Sequence, residues 1–412
     1  MKYLKYYKDV IIVNDFYIPD DIKIISNIFI NNGYDIFIVG GAIRDYLLNQ
    51  KPHDYDLVTN AQPNKIKELL NNYKLDLQGQ HFAVIRVYTE NFQEGIEIAS
   101  YRKDISNGRD NKKTNKPKVE YGHHITIKDD VLRRDLTCNA LYYNIRTKKI
   151  VDLVGGINDI KNNIIRSVGN PINRFKEDRL RILRTFRFAS KTNSLIDKKT
   201  SDAIKYDNRL NGISNEEDIS QERIMKEFYD MLNWSISNNN MSSWLNYLNL
   251  LKKFKMFVRM FPNIHISTKF YKTFNDIIIL SNLFINNIIT DDFHNKLFNF
   301  KLSNRVINGI IYLIKIKKLL NKENIHDLYD HNSKNNIYNL FLKKIDIHLN
   351  NETIGEFLYI HKINYKYINM FLKYKITTIS KEVINMGFKG KEIGEQIRYI
   401  ECQKFKKDLY LI

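Results

Sequence analysis

Along the first 150 positions, apolar residues fall into short runs that predict strands at 35–39, 82–88, 95–100 and 141–145, with a helical pattern over 64–72. Between 101 and 130 the runs give way to polar and basic residues, which predicts a long mobile loop. After Gly155-Gly156 the strand signal fades. From Arg174 onward apolar residues recur at helical spacing, as in Leu180, Leu183, Phe186 and Phe188 followed by Ile204. Asn-rich connectors at 238–240, 291–295 and 332–336 mark boundaries between helical segments, and no fixed-period repeat supports a solenoid. The pattern predicts an α+β head with a mixed sheet over 1–150, then helical segments over 151–230, 231–340 and 341–412.

Composition changes this picture in one respect. The 412 residues carry 65 Lys and Arg against 46 Asp and Glu, a formal charge of +19, which points to a polyanionic partner whose counterions the cations displace. The two cysteines, Cys138 and Cys402, stand far apart without metal-ligand spacing, so neither a disulfide framework nor a zinc site is expected. The charged N-terminus does not read as a signal peptide, and no stretch reaches the roughly 18 uncharged apolar residues of a membrane span. A reducing, cytoplasmic setting without a membrane is expected.

The candidate chemistry lies in residues 37–59. Carboxylates at i and i+2 of a strand share a face, so Asp54 and Asp56 can share divalent cations. Just upstream, the apolar run 36–39 meets Gly40 and Gly41, whose bare backbone N–H groups at a helix start can approach a phosphate, and Arg44 follows on that helix. Glu97 alternates with Ile96 and Ile98 and would complete a carboxylate triad.

These motifs resemble the superfamily of class II tRNA nucleotidyltransferases and bacterial poly(A) polymerases, whose head begins with a GGxxRDxLL…DxDL stretch. Residues 133–143, Arg-Arg-Asp-Leu-Thr-Cys-Asn-Ala-Leu-Tyr-Tyr, are similar to its RRDFTINALYY element, and 152–159 to its DxxGGxxDL turn. Residues 174–189 resemble its RFxEDxLRxLRAxRFA helix, and 222–228 its ERIxxEL element. The resemblance implies a polymerase β-like catalytic head followed by an elongated helical neck, body and tail.

It also implies roles. Asp54 and Asp56 would hold Mg2+ with Glu97 assisting. Gly40, Gly41, Arg44, Arg133, Asp135 and Asn139 would bind the sugar and triphosphate. On one face of a continuous helix, Asp178, Arg181 and Arg184 would read the base. Cytosine and adenine set an amino donor beside an unprotonated ring nitrogen, whereas uracil and guanine set a carbonyl beside a ring N–H. A carboxylate and a guanidinium at fixed spacing therefore accept CTP and ATP and leave unpaired groups against UTP and GTP. Arg102, Asp104 and Arg109 match the loop that the family ties to adding the terminal A.

Near the C-terminus, Lys389, Gly390, Lys391 and Gly394 resemble the GxxPGPxIGxxL stretch of CCA-adding enzymes without its prolines, and would approach tRNA phosphates. Lysine clusters including Lys404, Lys406 and Lys407 fit a helical arm that grips duplex tRNA. The implied partners are tRNA, at its acceptor end and elbow, with CTP and ATP; the oligomeric state is open. The expected activity is untemplated CCA addition by a two-metal mechanism. Poly(A) or A-only addition is the alternative within the superfamily. From another class, a catalytically silent RNA binder would gain nothing from clustered carboxylates beside RNA.

Overall fold

The computed structural model describes residues 9–410 except 14, 53, 80, 81, 106–117, 207–218, 268, 270, 272, 321 and 322. The chain divides into two compact units, one of residues 1–231 with 246–259 and one of 232–245 with 260–412.

The first unit is built on β1 (Asp9–Ile12), α1 (Asp20–Asn31), β2 (Ile36–Val39), α2 (Gly41–Leu47), β3 (Asp56–Thr59), α3 (Pro63–Leu69), β4 (Lys74–Asp76), β5 (Val84–Tyr88) and β6 (Ile96–Ser100). There follow β7 (Arg102–Ile105), β8 (Lys118–Tyr121), α4 (Ile127–Leu132), β9 (Leu141–Asn144), β10 (Lys149–Asp152) and α5 (Gly156–Lys161). Eight strands form one sheet in the order β1-β10-β9-β2-β3-β6-β5-β4. Only β3 and β6 run parallel in it; the other neighbours are antiparallel.

Period-2 alternation lets one sheet serve two cores. On β2 and β3, Ile36, Ile38 and Leu57 face a cluster that includes Ile22, Ile25, Phe29 and Ile43. Phe37, Val39 and Val58 turn to the other side, against Val131 and Tyr142. All four residues of β2 are buried, the signature of a central strand covered on both faces.

Two differences from the sequence reading arise here. Residues 101–130 are not a loop throughout: β7 and β8 pair antiparallel, Arg102 opposite Tyr121 and Asp104 opposite Val119. Beyond them Thr126 and Asp129 close a capping box that starts α4. The strand signal also persists past Gly156, in β11 (Ile164–Ile165), which pairs parallel with β12 (Leu195–Ile196). Between these lie α6 (Pro171–Glu177) and α7 (Leu180–Lys191); α8 (Lys198–Tyr206) and α9 (Gln221–Ser237) follow.

The second unit is helical among its described residues. Its core gathers Ile277, Tyr312, Leu313, Ile354, Phe357, Cys402 and Phe405 from helices between 276 and 410. No helix in the described chain is long and apolar enough to cross a membrane.

Candidate active site

Burial alternates through residues 54–56: Asp54 is exposed, Tyr55 buried and Asp56 exposed, so the two carboxylates share a face. Asp54 lies just before β3 rather than on it. The register Val39 to Asp56 and Val39 to Tyr142 sets Asp56 on the sheet face that carries Tyr142. In the parallel pair β3 and β6, Leu57 lies opposite Ile98, and one position back on each strand stand Asp56 and Glu97.

Among the described residues, neither Asp54 nor Asp56 makes a hydrogen bond or ion pair. Asp56 is reachable by solvent, yet enough protein surrounds its carboxyl that burial, then the charges of Glu97 and Asp54, push its pKa up to about 6. A hard cation would offset that repulsion, and oxygen donors suit Mg2+. Glu97 itself pairs with Arg86 at 2.5 Å. No three His, Cys, Asp or Glu side chains form a metal-holding cluster among the described residues. The pair offers carboxylate oxygens that a hard divalent cation could share with water.

Beside the carboxylates stands a set of arginines, each held by a partner. Gly40 ends β2 with φ +73°, a conformation that favours glycine, and Gly41 opens α2. Arg44 bonds Asp45 through Nε at 2.9 Å and Nη2 at 2.6 Å, and gives Nη1 to Asn139 Oδ1 at 2.7 Å. Asp130 is fully buried and bonded by Arg133 at 2.7 Å, Arg134 at 3.1 Å and the Tyr142 hydroxyl at 2.6 Å. Burial alone would raise its pKa; the two guanidiniums outweigh that and hold it at about 2.

Arg184 donates to Asp135 at 2.6 Å, and it likewise overcomes burial to hold that carboxyl at about 2. Asp135 also accepts from Leu136 N at 2.8 Å. Asp130 is a member of this network that the sequence reading did not place in the site; its nearest signal was the motif neighbour Arg133. Glu227, which the sequence offers as a structural brace for the base-reading helix, pairs with Arg187 at 2.6 Å and reaches Arg184 at 3.5 Å.

The continuous helix expected over 174–189 is broken. Asp178 takes an extended conformation, φ −148° and ψ 107°, and separates α6 from α7. Its Oδ1 accepts from Leu180 N at 3.1 Å, an Asx turn just ahead of α7. Its Oδ2 accepts from Arg223 at 2.8 Å. Arg181 donates to Glu177 at 3.0 Å and to the Arg133 carbonyl at 3.0 Å. Asp178 and Arg181 are thus brought to one helix start, but each is held by a different partner.

Downstream of β10, Asp152 accepts from the backbone of Val154 at 3.0 Å, Gly155 at 2.8 Å and Ile157 at 2.8 Å. This turn carries α5 against the segment 137–139.

In the loop, Arg102 donates to the Phe82 carbonyl, and Asp104 stands on β7. Arg109 lies outside the described residues. In the second unit Gly390, with φ +57°, turns the chain into the helix Lys391–Tyr410. Lys389 N lies 3.4 Å from Glu392 Oε2, and the side of Gly394 is open. Lys404 is engaged rather than free: its Nζ bonds Thr377 at 2.8 Å, Thr378 at 2.9 Å and Glu401 at 3.3 Å.

Residues 36–166 match the poly A polymerase head domain. The chain is 33% identical to poly(A) polymerase I of Salmonella typhi over 238 residues, 56% of this chain and 48% of that protein. It is 39% identical to the CCA-adding enzyme of Enterococcus faecalis over 200 residues, 48% of this chain and 46% of that protein. The chain thus spans about half the length of the curated relatives it matches.

Among solved structures it resembles a Bacillus stearothermophilus CCA-adding enzyme in complex with CTP, with a TM-score of 0.66 at 20% identity, covering 92% of this chain and 90% of that one. A Thermotoga maritima CCA-adding enzyme complexed with tRNA gives a TM-score of 0.66 at 19% identity over 96% and 95% of the two chains. At such identities the likeness establishes the fold: a sheet-based head followed by a helical region.

Proposed function

We propose that the chain belongs to the superfamily of poly(A) polymerases and CCA-adding enzymes, supported by the head-domain match and by the relatives it resembles over about half their length, and that it adds C, C and A to the 3′ end of tRNA from CTP and ATP, without a nucleic-acid template, in the cytoplasm. One observation carries the reading: among the described residues the carboxylates of Asp54 and Asp56 have no hydrogen-bond or ion-pair partner, and Asp56 lies in the field of Arg134, which Asp130 holds together with Arg133, whose carbonyl meets Arg181 of α7. Such a site can hold a triphosphate and a reacting hydroxyl together.

Each group has a task. Arg44, with Gly40 and Gly41 beside it, faces the triphosphate, and a bidentate guanidinium suits phosphate oxygens. Arg133 and Arg134 are held in place by Asp130 for the same anion. Asn139 and Asp135 can bond the ribose. Asp178 and Arg181 choose the base, with Arg184 setting their helix. Mg2+ bound by Asp54 and Asp56, with Glu97 nearby, would lower the pKa of the attacking 3′-hydroxyl and neutralise charge on the departing pyrophosphate. Arg102, Asp104 and Arg109 belong to the loop needed for the terminal A. Lys389, Gly390, Lys391 and Gly394 meet the tRNA backbone. Residues 1–150 serve as catalytic head, 151–230 as neck, 231–340 as body and 341–412 as tRNA-binding tail.

CCA addition is favoured over tailing because residues 386–397 resemble the GxxPGPxIGxxL stretch of CCA-adding enzymes, without its prolines. Poly(A) addition is the second reading, supported by the identity to poly(A) polymerase I over 238 residues. The direct test is incorporation of labelled CTP and ATP into tRNA transcripts that lack CCA, with Mg2+. Both labels should enter; a chain that incorporates neither is not this enzyme.

A further inference from the structure

Phe188 lies on α7 and is only 7% exposed, which by itself describes an ordinary core residue. Its surroundings are not ordinary. Three guanidinium carbons stand around its ring, Arg187 at 4.6 Å, Arg44 at 4.8 Å and Arg184 at 5.8 Å from the centroid. They come from two elements, α2 and α7.

Each cation is also anchored by a carboxylate: Arg44 by Asp45 at 2.6 Å, Arg184 by Asp135 at 2.6 Å, and Arg187 by Glu227 at 2.6 Å. Arg184 reaches Glu227 as well, at 3.5 Å. One turn on, burial and then the charges of Arg187 and Arg44 lower the pKa of Lys191 to about 8, against the opposing pull of Asp45 and Asp230.

An aromatic face carries negative quadrupole density, and guanidiniums within about 6 Å of it are attracted, more strongly when shielded from water. Beyond these three carboxylates, the ring adds one shared contact that ties the arginine of α2 to those of α7. We propose that Phe188 is a positioning residue for the incoming nucleotide. Its π face holds Arg44, on the triphosphate side, in register with Arg184 on the base-reading helix, so that phosphate and base are gripped as one unit. The inference rests on the nucleotidyltransferase reading of Arg44 and Arg184. It adds a residue whose contribution is electronic rather than a matter of apolar volume.

Fluorination separates those two contributions, because it drains the π face while leaving the side chain apolar and nearly the same shape. The full chain would be produced with phenylalanine, 4-fluoro-, 3,5-difluoro- or 3,4,5-trifluorophenylalanine at position 188, and the Kd for ATP and the thermal midpoint measured for each. The expected result is a stepwise rise in Kd, reaching about five- to tenfold with three fluorines, alongside a modest stepwise fall in a midpoint that stays above the assay temperature. Phe188→Leu should bind ATP at least as weakly. A flat series in a chain that binds ATP would overturn the inference and leave the functional reading standing. Failure of the unsubstituted chain to bind ATP would overturn both, since CCA and poly(A) addition each use ATP.

Discussion

Arg223 Nη2 lies 2.8 Å from Asp178 Oδ2, so the carboxylate proposed to read the base already holds one guanidinium and, through Oδ1, the Leu180 backbone at 3.1 Å. These two bonds fix the carboxylate at the start of α7. A carboxylate offers only acceptors, so it can take an amino N–H of cytosine or adenine and meets the carbonyl of uracil or guanine with repulsion. Asp178→Ala or Arg181→Ala should therefore relax base choice, narrowing the kcat/KM preference for CTP over UTP at least tenfold, about the 1–3 kcal/mol of an unmatched buried polar group. Single-nucleotide incorporation with each NTP measures it. Unchanged preference would remove both residues from the template role.

Asp54→Ala and Asp56→Ala should each cut nucleotide incorporation by about a thousandfold or more, the several kcal/mol that charge stabilisation by a bound metal supplies. Retention of more than a few per cent of activity would refute the metal-site assignment.

Asp56 also makes a prediction about stability. Its pKa is raised from the usual 3.8 to about 6. The folded chain thus binds this proton more tightly than the unfolded chain, so protonation stabilises the fold as pH falls through about 6. At neutral pH the ionised group costs stability. In the absence of divalent cations, Asp56→Asn should raise the thermal midpoint at pH 7.5, and the gain should shrink by pH 5. A variant less stable than the parent at pH 7.5 would contradict the burial and repulsion at this carboxyl.

Much of the head was legible in the sequence because its signals are local. The run over β2, the Gly40-Gly41 turn and the alternation around Asp56 each need only neighbouring residues to be read. The break at Asp178 was not legible, since nothing in Glu177-Asp178-Arg179 resembles proline or glycine. The helix stops there because the Asp178 side chain bonds the Leu180 backbone two residues on and pairs with Arg223, 45 residues away. The β7–β8 pair was missed for a similar reason: its partners meet across a polar insertion, and polar strands carry no alternation. Burial of Asp130 depends on Tyr142, which a different element supplies.

Gly156 provides a test of the turn beyond the head. A Cβ there would stand 2.2 Å from the Thr137 carbonyl oxygen, a backbone atom that cannot swing away. Gly156→Ala should cost about 3 kcal/mol, at the upper end of ordinary overpacking, and lower the urea midpoint accordingly. A midpoint matching the parent would mean that the segment 137–139 is not packed as described.

The central claim is that the chain builds CCA and stops. The most direct measurement is to incubate it with tRNA transcripts ending before CCA, after the first C and after the second C, supplying CTP and ATP singly and together, and to size the products at nucleotide resolution. CTP alone should add two, one and no residues to the three transcripts, and both nucleotides together should bring all three to a single product ending in CCA. An open-ended ladder of A on any RNA would contradict it.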